Sequence, residues 1–154
     1  MTETTVLPQR NRRFTLRERP VERIDASTFE LTESPIPELA DGEALVRADW
    51  ISLDPTNRTW LYDEATYLPP VGIGEVMRAL VLGEVVASRS AAHPVGQIVQ
   101  GLAGWQDYTV ISEATPMSPV HRTRGVAEYL PRRLGHDGPY CVDRDTRDRQ
   151  TASR

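Results

Sequence analysis

From Thr28 to Val120, short apolar runs alternate with turn signals, and this punctuation limits the chain to a fold of short strands. The strongest run is Ala44-Leu45-Val46-Arg47-Ala48-Asp49-Trp50-Ile51, launched by the turn signal Asp41-Gly42-Glu43, in which glycine supplies a positive φ. Thr28-Phe29-Glu30-Leu31-Thr32 alternates cleanly, and Pro35 and Pro37 then remove the donors a longer ladder would need. Arg13 to Leu16 is a short alternating run, and Ala79 to Ala87 is a β-branched strand interrupted by Gly83, the mark of a bulge or a close backbone approach. Gln97 to Gln100 and Trp105 to Ile111 complete the strands, with loops expected at Tyr67 to Gly74 and Gly101 to Gly104. One short helix is expected after Asp54, a good N-cap, with Pro55 at its first position. Many short strands, tight turns and little helix indicate an all-β barrel or sandwich.

The apolar runs nearly vanish from His121 to Arg154, so a core is expected in residues 1–120 and an irregular or disordered tail over 121–154. The chain's 154 residues give room for one domain. A net charge of −4 without a basic stripe interleaved with aromatics argues against nucleic acid as partner. The locally basic segment Arg10 to Arg23 reads as a solvated strand edge. One cysteine, Cys141, allows no internal disulfide, and Met1 to Arg10 has no apolar core of a signal peptide. The longest apolar stretch, Ala79 to Leu82, is far short of a membrane span, so a cytoplasmic setting without membrane contact is expected.

Site chemistry is sparse. His93, His121 and His136 do not stand at ligand spacing with Cys141, and no metal site is expected. No Gly-x-Ser-x-Gly elbow appears, and Gly72-Ile73-Gly74 and Gly101 to Gly104 both lack the glycine and helix of a dinucleotide fingerprint. The segment Ser52 to Arg58 is more unusual, because it sets a capped helix directly after the strongest strand. Asn57 and Arg58 there either face a cleft or serve only the helix and solvent.

The order of motifs is recognisable. Asn11-Arg12-Arg13, Pro35-Ile36-Pro37, Asp41 to Arg47, Ile51 to Arg58, Tyr67-Leu68-Pro69-Pro70, Ile73 to Arg78, Gly83 to Ser88 and Gly104-Trp105-Gln106-Asp107-Tyr108 form one series. The series resembles the N-terminal domain of the zinc-free, NADP-dependent prostaglandin reductase and alkenal double-bond reductase family, within the medium-chain dehydrogenase/reductase superfamily. It covers roughly Val6 to Val120. The resemblance implies a GroES-like, partly open β-barrel that forms one wall of an active-site cleft, the other wall being a Rossmann domain that carries NADP(H). It implies reduction of the carbon–carbon double bond of enones and enals, and full-length members are often homodimeric. By the same resemblance Asp54, Asn57 and Arg58 lie near the nicotinamide, Tyr67 and the loop to Met77 border the substrate pocket, and Trp105 and Gln106 start a strand near the cleft. The sequence departs from the family at Ala79-Leu80-Val81-Leu82, where small glycine-rich residues are usual, and at the turn His93 to Gln97; an altered pocket or a damaged barrel would follow from crowding there.

After Val120 the family pattern stops. Read one nucleotide further on, with permitted codons, Gly135 to Asp143 gives G-M-T-G-L-T-A-W, and Tyr129 to Leu134 permits T-Y-L-G-V-L. Together these resemble the family's continuation, so a frameshift close to Val120 is expected, with residues from about His121 translated out of frame; the alternative is a native charged tail. The expected function is the substrate-side domain of an NADP-dependent ene-reductase, with no tight NADP(H) binding and no turnover by this chain alone. The alternative is a non-catalytic β-barrel that serves as a binding or interaction module.

Overall fold

A computed structural model describes residues 10–64, 66–115 and 117–120. The tail expected over 121–154 lies outside the described residues. Seven strands and one short helix follow in chain order: β1 (Arg10–Leu16), β2 (Phe29–Pro35), β3 (Ala44–Ile51), α1 (Pro55–Thr59), β4 (Arg78–Ser88), β5 (Ile98–Gly104), β6 (Tyr108–Ile111) and β7 (Met117–Pro119). The all-β expectation holds, as a curled half-barrel.

Five strands make one antiparallel sheet in the order β6-β3-β4-β5-β7, and β1 and β2 make a separate antiparallel ribbon. Backbone bonds join the ribbon to the segments flanking the sheet. Phe14 N–H donates to the Trp105 carbonyl at 2.8 Å, Met77 N–H to Phe14 at 2.9 Å, and Leu16 N–H to Glu75 at 2.9 Å. Single bridges at Arg13–Gln106 and Thr15–Val76 continue the same seam. The ribbon therefore covers edge groups that an open sheet would leave unpaired.

The period-two alternation of the strands places one apolar cluster inside the curl: Ala44, Val46, Val85, Val99, Ile111 and Met117. Burying each valine or isoleucine contributes about 1.5–3 kcal/mol. A second cluster joins Leu16, Trp60, Leu61, Val71 and Met77, with Phe29, Leu68, Leu102 and Trp105 packed against it.

Geometry requires glycine at Gly42 and at Gly83. Gly42 turns the chain into β3 at φ +85°. Gly83 faces Ala48, where the β3–β4 register shifts between Ala48 and Trp50. A Cβ there would collide with the Arg47 carbonyl oxygen and come within 2.7 Å of the Val46 side chain, so both readings of Gly83, bulge and close approach, hold.

Gly101 to Gly104 is not a loop. It is the second half of β5, with Gly101 opposite Val81 and Gly104 opposite Arg78. A Cβ on Gly104 would stand 2.7 Å from the Val76 side chain, so the missing side chain admits a neighbour instead of marking a turn. The last long strand is shorter than its pattern, since Trp105 to Asp107 bend to meet β1 before β6 begins at Tyr108. Crowding at Ala79 to Leu82 does not break the sheet: Ala79 and Val81 are buried in it and Leu80 points to the exposed face.

Candidate functional site

The second apolar cluster gathers more of the expected site residues than any other part of the fold. Met77 is fully buried in it, and Trp105 packs on it from the start of the β5–β6 bend. The Trp105 ring lies 5.0 Å from Phe29 and meets Phe14 edge-on at 6.5 Å, while its backbone N–H donates to the Met77 carbonyl at 2.8 Å. Tyr67 stays 68% exposed but meets the Trp60 ring edge-on at 6.2 Å. The loop from Tyr67 and the two strand ends at Met77 and Trp105 therefore converge on Trp60 and its neighbours.

Asn57 and Arg58 approach the cluster from α1, one turn before Trp60. Local sequence builds that turn: Asp54 is the N-cap in extended conformation and Pro55 is the first helical residue, although α1 extends only to Thr59. The Asp54 carboxylate does not cap the helix through its side chain; it accepts a hydrogen bond from the Ser52 hydroxyl and remains exposed. Asn57 is buried, and its amide donates back to the Ser52 carbonyl at 3.4 Å. Arg58 donates from Nε to the Tyr62 hydroxyl at 3.1 Å and from Nη2 to the Glu22 carbonyl at 3.1 Å, with its guanidinium 5.8 Å from the Tyr62 ring centroid.

Gln106 stands beside Trp105, but its amide is already committed. Its oxygen accepts from Asn11 Nδ2 at 3.1 Å and its nitrogen donates to Thr109 Oγ1 at 3.0 Å. Asn11 also donates to the Tyr108 carbonyl at 2.8 Å and accepts from the Tyr108 N–H at 2.9 Å. Beside this network Arg12 pairs with Asp107 at 2.8 Å, and that hydrogen bond and charge hold the Arg12 guanidinium above its ordinary pKa.

Sequence reasoning missed three residues here. Asn11 was visible only as part of a motif, although a polar residue on an inward strand position was the available signal. Trp60 and Arg78 carried no pattern of their own: they meet because α1 and the start of β4 come together, with the Arg78 guanidinium 5.4 Å from the Trp60 ring centroid. The indole N–H groups of Trp60 and Trp105 are both buried with no hydrogen-bond partner among the described residues. Such donors are rare, and each costs about 1–3 kcal/mol.

The described residues do not fit a nucleotide. A pyrophosphate needs a strand, a glycine-rich turn and the N-terminus of a helix, whereas α1 has five residues, starts at Pro55 and follows Ser52-Leu53-Asp54, which holds no glycine. No three histidine, cysteine or acidic side chains stand together among the described residues. No helix among them is long and apolar enough to cross a membrane.

Fold and cluster together define the class: the curled, GroES-like half-barrel of the medium-chain dehydrogenase/reductase superfamily. Residues 12–120 match the family model described as the N-terminal domain of oxidoreductase, and the chain belongs to that family. It is 39% identical over 104 residues to the NADPH-dependent curcumin reductase of Escherichia coli, covering 68% of this chain and 30% of that protein. Prostaglandin reductase 1 of Rattus norvegicus is 34% identical over 84 residues, covering 54% of this chain and 23% of that one. Among solved structures, CurA of Vibrio vulnificus in complex with NADPH aligns with a TM-score of 0.67 at 37% identity, over 77% of this chain and 35% of that chain. The chain thus spans about a quarter to a third of the length of these three relatives.

Proposed function

We propose that this domain is the substrate-side wall of a reductase that uses NADPH to saturate the double bond of α,β-unsaturated carbonyl compounds, enones and enals. The observation that carries the reading is the convergence of Tyr67, Met77 and Trp105 on one apolar cluster beside α1, in a chain related to curcumin and prostaglandin reductases. The exposed Tyr67 ring beside that cluster suits a flat, apolar, conjugated substrate. Its work is to bind and orient that substrate and to exclude water, with Asn57, Arg58 and Tyr67 as its polar contacts and Asp54 and Gln106 supporting them. Hydrogen-bond donors would stabilise the enolate oxygen as charge develops there. The hydride itself comes from NADPH held by a second lobe.

The 154-residue polypeptide is proposed to bind NADP(H) weakly and to turn over nothing, in a cytoplasmic setting. On this proposal residues 1–120 are the domain, and codons permitted after Val120, read one nucleotide on, allow a stretch that resembles the family's continuation. Two results test this. Purified chain mixed with NADPH and an enone is expected to show no oxidation of NADPH above the buffer rate. Sequencing the gene across the Val120 codon is expected to reveal the second lobe in the shifted frame. Enone-dependent turnover by the purified chain would contradict the first proposal, and an open frame ending at Arg154 in related genes the second.

A further inference from the structure

Among the described residues, the segment leading into Val71 is hydrogen-bonded to the rest of the domain at one point. Pro69 and Pro70 have no N–H to donate. Among the described residues 66–70, the one hydrogen bond that leaves the segment is Arg78 Nη1 to the Pro69 carbonyl, at 2.8 Å. The same guanidinium lies 5.4 Å from the centroid of the Trp60 ring, and Tyr67 meets that ring at 6.2 Å. Trp60 is 4% exposed, and its indole N–H has no partner. A side chain that is nine-tenths buried, with an unused donor, therefore lies against a segment held by a single latch.

We propose that Arg78 is that latch, and that releasing Thr66 to Pro70 uncovers the Trp60 indole N–H as a hydrogen-bond donor for the oxygen of a small, neutral, apolar carbonyl compound. Leu61, Leu68, Val71 and Met77 around the indole make the site apolar. An indole N–H is a neutral donor, so it favours a carbonyl over a carboxylate, whose desolvation it cannot offset. A latch also lowers apparent affinity, because only the released fraction binds. This inference rests on the reading that the Tyr67 loop borders the substrate cleft, and it assigns the loop a gate and the cleft a donor.

The test uses the isotope-labelled chain. Trp50, Trp60 and Trp105 give three indole N–H resonances, and Trp60→Phe identifies the one needed while keeping an aromatic ring in place. Titration with benzylideneacetone is expected to move the Trp60 indole proton downfield to saturation. Butylbenzene, which has no oxygen, is expected to leave it in place. Arg78→Met is expected to lower the apparent Kd about fivefold, the effect of one released hydrogen bond, and to speed amide exchange at Val71, whose N–H donates to the Trp60 carbonyl beside the segment, while Val46 and Val85 stay protected. Arg78→Lys, which keeps one donor for Pro69, is expected to restore the parent Kd and covers the case in which the methionine variant fails to fold. A Trp60 resonance that ignores benzylideneacetone, or moves equally with butylbenzene, overturns the donor. A Kd unchanged in Arg78→Met, or exchange that rises throughout the sheet, overturns the latch. Benzylacetone lacks the double bond and is expected to bind as benzylideneacetone does, so this outcome stands apart from whether a two-lobed protein reduces enones.

Discussion

Asn11 does with one side chain what a strand residue does with its backbone. It is 8% exposed, and its amide donates to the Tyr108 carbonyl and accepts from the Tyr108 N–H, so both polar groups of a residue beside the seam are satisfied across 97 positions of sequence. Asn11→Ala leaves those groups and the Gln106 oxygen without a partner and is expected to cost about 1–3 kcal/mol, read as a lower urea midpoint with unchanged slope. Asp25 shows a second local device. Its carboxylate accepts from the Ser27 hydroxyl at 2.6 Å and the Ser27 N–H at 2.9 Å, and these bonds hold its pKa below the ordinary aspartate value. A carboxylate whose pKa is lowered by folding stabilises the fold fully above its unfolded pKa and loses that contribution as pH falls through the folded value. The stability gap between the parent chain and Asp25→Asn is therefore expected to narrow on acidification. Parallel denaturation midpoints from neutral to acid pH would contradict it. The Asn11 device was not legible in the sequence, because it depends on where the side chain lands after the strands pair; the Asp25–Ser27 device is local, a turn made by an aspartate two positions before a serine.

The strands themselves were legible where one face is buried and the other exposed. Ala44 to Ile51 was read with its observed limits, because Asp41-Gly42 fixes its start and alternating burial follows from pleat geometry. Gly83 was read correctly for the same reason: a glycine inside a β-branched run signals what backbone must come near. Gly83→Ala forces its methyl against the Arg47 carbonyl and is expected to destabilise the domain by about 1–3 kcal/mol or more, measured by thermal or urea unfolding. An unchanged midpoint would mean that β3 and β4 are not bulged at Ala48. The second half of β5 was misread because Gly101 and Gly104 look like turn residues locally; they are strand residues for the sake of contacts with β7 and Val76. β7 escaped because three residues carry no period, and its pairing with β5 is purely tertiary. The bend at Trp105 to Asp107 was hidden for a related reason: β1, nearly a hundred positions earlier, captures the backbone there.

For the molecule as a whole, eight short motifs in order gave the family, and the half-barrel agrees with them. The site was less legible. Tyr67, Met77 and Trp105 meet at one cluster, whereas Asp54 and Gln106 have their polar groups engaged in bonds within the domain. The Arg78–Trp60–Tyr67 stack had no sequence signature because three separate segments build it. Division of labour is what we propose: this domain lines the substrate while the dinucleotide is held elsewhere, since the described residues offer no glycine-rich turn and helix N-terminus to cradle it. Its most direct measurement is enone-dependent NADPH oxidation by the protein translated with the frame restored after Val120, run beside the 154-residue chain. Robust turnover by the restored protein with an enone, none with the matching saturated ketone, and none by the short chain is the expected result. Equal rates from both polypeptides, or a restored protein that leaves the double bond intact, would contradict it.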